Sequence, residues 1–189
     1  MVALINKKVR SADGKRRQLR DTYWPDISNH TLWLRKVRVG FTTIPRTMSI
    51  IGRIMDQLSG KGLPLFGTYL ALWCRVYDEA FVEIRNDREL AFESGFSGTR
   101  GEVTWRTRMR RLESLGFIEI RSGLASDVQY VLILNPIQVI AGIYERDKLA
   151  KDMAYMALMT RLIEVGANDL DEEDSAFQIL ETEVIKANG

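Results

Sequence analysis

At 189 residues, with 46% hydrophobic and 28% charged, the chain is sized for one globular domain with extensions, or at most two small domains. Its formal net charge of +2 hides a gradient: residues 1–64 hold 13 Lys/Arg against 4 Asp/Glu, residues 65–140 hold 9 against 10, and residues 141–189 hold 5 against 11, which suggests a polyanion partner at the front and solvation, self-association or autoinhibition at the back. No apolar run reaches the roughly 18 residues of a membrane span, and the basic stretch Met1 to Arg20 is followed by no apolar segment, so a cytoplasmic protein without span or secretory leader is expected.

In chain order, NKKVRSADGKRRQLR carries seven Lys/Arg and few core-forming residues, the composition of a mobile basic arm. Lys15, Arg16 and Arg17 within it are candidate phosphate contacts. The following DTYWPDISNHTLWLRKVRVGF interleaves Tyr23, Trp24 and Trp33 with more basic residues, and its pattern leaves open whether it lies along the domain surface or exchanges onto a partner. From Ile44 the apolar residues Met48, Ile51, Ile54, Met55 and Leu58 recur at helical steps, with Thr43 as N-cap, Pro45 in the first turn and Gly60 near the stop. A second helix is expected over TYLALWCRVYDEA, apolar on more than one face. The single cysteine, Cys74, sits in its LALWC run, where a reduced core residue is expected. FVEI then reads as a small strand. DRELAFESG reads as a short helix capped by Asn86 or Asp87 and ended by Gly95.

After the brief turn FSGTRG comes TWRTRMRRLESLG. At 100° per residue Trp105, Met109, Leu112 and Leu115 form a buried stripe, with Arg106, Thr107, Arg110 and Arg111 on the other side and Arg108 flanking the stripe. Gly116 suits the position just past a helix end, where glycine adopts the left-handed conformation at little cost. The period then drops to two: FIEIR, the turn SGLASD and VQYVLIL read as a β-hairpin ending at Asn135-Pro136. One long helix is expected from Pro136 to Gly166, followed by an acidic tail that includes a short helix over AFQILETEVIKA. The resulting division is a basic arm (residues 1–42), a domain (43–136) and a C-terminal helix with acidic tail (137–189).

The order helix, strand, short helix, turn, basic helix, hairpin is that of a winged helix-turn-helix. The run TWRTRMRRLESLGFIEIR resembles the recognition-helix-to-wing signature of that DNA-binding family, with a helix of the type T-x-x-R-x-x-x-x-L-E-x-L-G followed by a strand, Thr107 standing where that pattern has arginine. The likeness covers roughly Leu63 to Pro136. It implies an α+β, mainly helical fold in which Thr104, Trp105, Arg106, Arg108 and Arg110 fall where the family meets DNA, while Leu112, Leu115 and Ile118 fall where it packs its core. The physical logic is that a helix fits the major groove and an arginine fork matches guanine O6 and N7, while other cations neutralise phosphates. The packing stripe read from the residues competes for Trp105, and we assign it to the core. YVLILNPIQVI and RLIEVGANDL are similar to plasmid-borne replication and maintenance proteins built on this domain, although this chain holds one such unit where dimeric replication initiators hold two. The candidate DNA contacts are therefore Arg100, Thr104, Arg106, Thr107, Arg108, Arg110, Arg111, Arg121 and Ser122, together with Lys15, Arg16 and Arg17 of the arm.

The methionine line Met153, Met156, Met159 suits core or dimer packing, which makes a homodimer through the C-terminal helix the expected assembly. A third reading makes the acidic tail an internal competitor for the basic face, in which case deleting residues beyond Ala167 tightens DNA binding. Catalysis is not expected. The lone His30 and single cysteine do not make a zinc site, GKG lacks the P-loop spacing, and DLDEED lacks the central glycine of a calcium loop. No cofactor is implied. The rival function is a winged-helix module that docks a partner protein, using the aromatic segment Tyr23 to Trp33 and the acidic tail.

Overall fold

The computed structural model describes residues 14–170, so Lys7, Lys8 and Arg10 of the basic arm, and residues 171–189 of the acidic tail with its expected short helix, lie outside the described residues. The chain divides between Phe41 and Thr42 into two compact units. In the first, residues 14–23 form helix α1 where a mobile arm is expected, and the remainder runs through turns to Phe41. Its ten helical residues contain no Gly after Gly14 and no Pro; Pro25 lies just beyond the end.

The second unit is α+β and mainly helical. Its elements are α2 (Met48–Ser59), α3 (Phe66–Trp73), β1 (Phe81–Glu83), α4 (Asp87–Glu93), α5 (Gly101–Leu115), β2 (Ile118–Arg121), β3 (Tyr130–Ile133), α6 (Pro136–Arg146) and α7 (Met153–Val165). The three strands form one antiparallel sheet in the order β1-β3-β2, with Val131 opposite Val82 on one side and Ile120 on the other. Strict alternation puts Val82, Ile118, Ile120, Val131 and Ile133 on the buried face and Glu83, Glu119 and Arg121 in solvent. Among the described residues no helix is long and apolar enough to cross a membrane.

The buried face of α5 holds the unit together. Trp105, Met109 and Leu112 are fully buried in one cluster with Ile51, Ile54 and Met55 of α2 and Leu72 of α3. Removing each such side chain from water stabilises the fold by about 2 kcal/mol. The α2–α3 turn is fixed by Asp56, whose carboxylate accepts from the Leu65 and Phe66 amides (2.6 and 2.9 Å) and so caps α3 from the preceding helix. Asn86 caps α4 in the usual way, accepting from the Arg88 and Glu89 amides.

Three expectations are corrected. Helix α2 begins at Met48, after a turn through Arg46 and Thr47, so Thr43 does not cap it and Ile44 is exposed. Helix α3 ends at Trp73, leaving Cys74 exposed outside the core. The long C-terminal helix is two: after α6 the Leu149 amide donates to the Tyr144 carbonyl and the Lys148 amide to that of Glu145, with Lys148 left-handed (φ 49°), before Asp152 caps α7 through the Tyr155 amide. Both α6 and α7 pack on α2, and Ile137, Ile140, Tyr155 and Leu158 belong to the same core as α5. Of the methionine line, expected in core or dimer packing, Met153 and Met156 are exposed and Met159 is half-buried.

Candidate nucleic-acid interface

Helix α5 starts after the glycine turn Gly98 and ends at Gly116, whose φ of 85° lets the Phe117 amide turn back to the Leu112 carbonyl. With Trp105, Arg108, Met109 and Leu112 inward, the exposed line runs Val103, Thr107, Arg110, Ser114. Arg106 and Glu113 edge this line on the side of the 122–129 loop between β2 and β3.

That loop supplies a carboxylate to both arginines. Arg106 donates to Asp127 and also to Asp87 at the start of α4. Arg110 donates to the Asp127 carboxylate (2.7 Å) and carbonyl (3.2 Å) and to Glu113 (3.0 Å). Glu113 in turn accepts from the Ile120 amide at 3.2 Å, tying α5 to β2. Ser126 donates to Asp87 at 3.0 Å, fastening the loop to α4. The hydrogen bond from Arg110 holds the Asp127 carboxyl below its usual value, against partial desolvation and aided by the charges of Arg106 and Arg110. The Arg110 guanidinium is correspondingly shifted up, by the Asp127 bond first and the Glu113 bond second. Two guanidinium groups thus meet three carboxylates, Asp87, Glu113 and Asp127, and this cluster is not positive overall.

The other arginines of α5 have different work. Arg108, expected to flank the stripe and contact DNA, is only 9% exposed; it donates to the Gly62 carbonyl at 3.2 Å and lies over the Phe96 ring. At 100° per residue it falls between Leu112 and Leu115, inside the packing stripe, which removes it from the candidate surface. Arg111 reaches the opposite flank, donating to the last carbonyls of α2, Leu58 at 3.0 Å and Ser59 at 3.3 Å, and so completes the C-terminus of that helix. It too is withdrawn from the exposed line. Thr104 is half-buried, and the exposed Thr107 donates to the Val103 carbonyl.

Further exposed cations lie outside the cluster, on each unit. Arg100 precedes α5 and is exposed, as are Glu102 and Val103 of its first turn, whose amides lack carbonyl partners within the helix, which suits an anion. Arg121 is exposed and pairs with Glu119 (3.1 Å), and Ser122 donates to the Asp127 carbonyl at 3.4 Å. Lys15, Arg16 and Arg17 are exposed on α1 in the first unit. The expected contact set is therefore split: Arg100, Thr104, Arg106, Thr107, Arg110, Arg121 and Ser122 lie on or beside α5 and the hairpin, Arg108 and Arg111 serve the fold, and the arm cations belong to the other unit.

The residues missed from sequence are the carboxylates. Asp127 lies 17 and 21 positions from Arg110 and Arg106, beyond any helical spacing rule, and only the pairing of β2 with β3 brings it back. No family model matches the chain, and no curated protein or solved structure matches it.

Proposed function

We propose that the chain binds double-stranded DNA through a winged helix-turn-helix formed by α3, β1, α4, α5 and the β2–β3 hairpin, in the control of transcription, replication or maintenance of a bacterial plasmid or related mobile element. The observation that carries this reading is the exposed line Val103, Thr107, Arg110, Ser114, flanked by Arg106 and set between the anion-accepting start of α5 and the hairpin loop. A helix presenting such a line fits the major groove: arginine forks match guanine, and Val103 suits a thymine methyl. Asp127 holds both forks extended before contact, and DNA binding exchanges that carboxylate for a base edge or phosphate. Arg100, Arg121 and Ser122 serve the backbone, and Lys15, Arg16 and Arg17 add phosphate contacts from the first unit.

The test is selection of bound fragments from random duplexes, followed by titration of the selected site with Arg106→Ala and Arg110→Ala variants. Removing a guanidinium that pairs with a base edge through two hydrogen bonds costs about 1–3 kcal/mol, and the wild-type affinity falls steeply with salt through counterion release. Unchanged affinity in both variants overturns the assignment of α5 as the reading helix.

A second reading, a module that docks a partner protein, draws on the exposed apolar side chains Phe92 of α4, Val103 of α5 and Leu124 of the hairpin loop. Weak dependence of binding on salt and no selected duplex favour it over the first.

A further inference from the structure

We infer that the first unit carries a surface for single-stranded nucleic acid, built from aromatic rings held in solvent beside arginine and lysine side chains. Tyr23, Trp24 and Trp33 are 70%, 60% and 65% exposed. Exposing rings of this size forgoes roughly 2 kcal/mol of burial apiece, so their clustering within one short segment calls for a ligand with flat apolar faces.

With Phe41 they make two separate ring pairs, each with its own cations. The Tyr23 and Trp24 rings are 6.1 Å apart and tilted. On α1, Arg16, Arg20 and Tyr23 follow at steps of four and three, which places cations and ring on one face. The Trp33 and Phe41 rings meet edge to face at 5.8 Å, with the Arg35 guanidinium 5.4 Å from the Phe41 centroid. Lys36 and Arg38 follow in sequence, Arg38 donating to the His30 carbonyl at 3.1 Å. Residues 14–41 hold seven cations (Lys15, Arg16, Arg17, Arg20, Arg35, Lys36, Arg38) against two carboxylates (Asp21, Asp26). Only Arg20 among these cations is ion-paired within the described residues, to Asp21.

Rings that stack on bases, interspersed with cations that follow phosphates, are the physical requirements for holding an unpaired strand without regard to sequence. A duplex hides its base faces, so the aromatic rings favour a single strand over the partner proposed for α5. The charge balance favours a polyanion over an apolar protein surface. This inference does not rest on duplex binding by the second unit.

The experiment titrates the full chain with oligothymidylate and oligouridylate of about 16 nucleotides, reading intrinsic tryptophan fluorescence and anisotropy of labelled strands. Stacking on Trp24 and Trp33 is expected to quench fluorescence saturably, and each Trp→Ala substitution is expected to weaken binding at least about fivefold, the equivalent of about 1 kcal/mol per stacked base. Trp73 and Trp105, in the second unit, remain as internal emitters whose signal the oligonucleotide leaves unchanged. Equal affinity for the two oligomers assigns the surface to either nucleic acid; preference for one names the source. Circular dichroism of the Trp24→Ala, Trp33→Ala double variant checks that the fold survives. The inference is overturned by undetectable oligonucleotide binding, by affinity unaltered in the double variant, or by loss of self-association in that variant with oligonucleotide affinity intact, which would make the surface a contact between copies. Arg106→Ala with Arg110→Ala leaves oligothymidylate binding unchanged on this view, so the two readings fail separately.

Discussion

A guanidinium on a helix takes its role from what its tip meets, and α5 places four arginines within six positions in three different settings. Arg108 spends its fork on the Gly62 carbonyl inside the unit, and Arg111 spends its own on the end of α2. Arg106 and Arg110 stay half-exposed and share Asp127. Replacing Asp127 with Asn separates a structural clasp from a poised binding group. The ion pairs are exposed and each contributes at most about 1 kcal/mol, so stability in a urea melt is expected to fall by roughly 1 kcal/mol. Duplex affinity is expected to rise severalfold, since a competing carboxylate is gone while both guanidiniums remain, a gain on the order of 1 kcal/mol. A fall in stability with no gain in affinity would leave the clasp purely structural. The pH dependence has a definite sign. Because Asp127 titrates below its ordinary 3.8 in the folded chain, its contribution is complete above that pH and is lost as the pH falls through the lowered value. The stability gap between wild type and Asp127→Asn therefore closes in acid below about 4 and stays constant above it.

At the scale of elements, what was legible in sequence was whatever is written locally. Asn86 and Gly95 bracket α4, Gly116 ends α5, and the switch to period two marks β2 and β3, all as read from the residues. The break between α6 and α7 was not legible, because it uses neither Gly nor Pro: Lys148 takes the left-handed turn and Asp152 restarts the helix. The start of α2 was misplaced because Ile44 continues the apolar spacing although its backbone is not helical. Half of the candidate site was equally invisible, since periodicity finds arginines on a helix but not the carboxylates that a hairpin folds back onto them. Packing between α2 and α3 supplies a test of its own. A Cβ built at Gly52 would come within 2.4 Å of the Phe66 ring, although glycine inside a helix ordinarily costs up to about 1 kcal/mol relative to alanine. Close approach is expected to win, so Gly52→Ala should lower stability by about 1–3 kcal/mol through overpacking. Adding Phe66→Leu should recover part of that loss, and the coupling between the two substitutions is measurable by a double-mutant cycle of thermal unfolding. An increase in melting temperature for Gly52→Ala alone would show that the ring yields without cost.

For the whole molecule, the outstanding question is what covers α7. Ala154, Tyr155, Leu158 and Leu162 face the core, while Met153, Met156 and Ile163, 84%, 53% and 81% exposed, fall within about 80° of one another on the opposite side. A stripe of this kind is self-complementary across a two-fold axis, so a second copy of the chain can cover it with the same three residues. Three side chains on one helix bury far less than the roughly 800 Å² per partner of a standard interface, which predicts association in the micromolar range and not tighter. A two-fold protein also predicts a two-fold DNA site, with half-sites about one helical turn apart. Light scattering at rising concentration should approach twice the 21.7 kDa chain mass, and Met156→Glu with Ile163→Glu should hold the chain at the monomer mass with its helical content intact. The same double variant should lose affinity for a selected inverted repeat while retaining affinity for a single half-site, because only the contribution of the second copy is removed. A wild-type chain that remains monomeric throughout the micromolar range, or a selected site without symmetry, would leave α7 to a different partner.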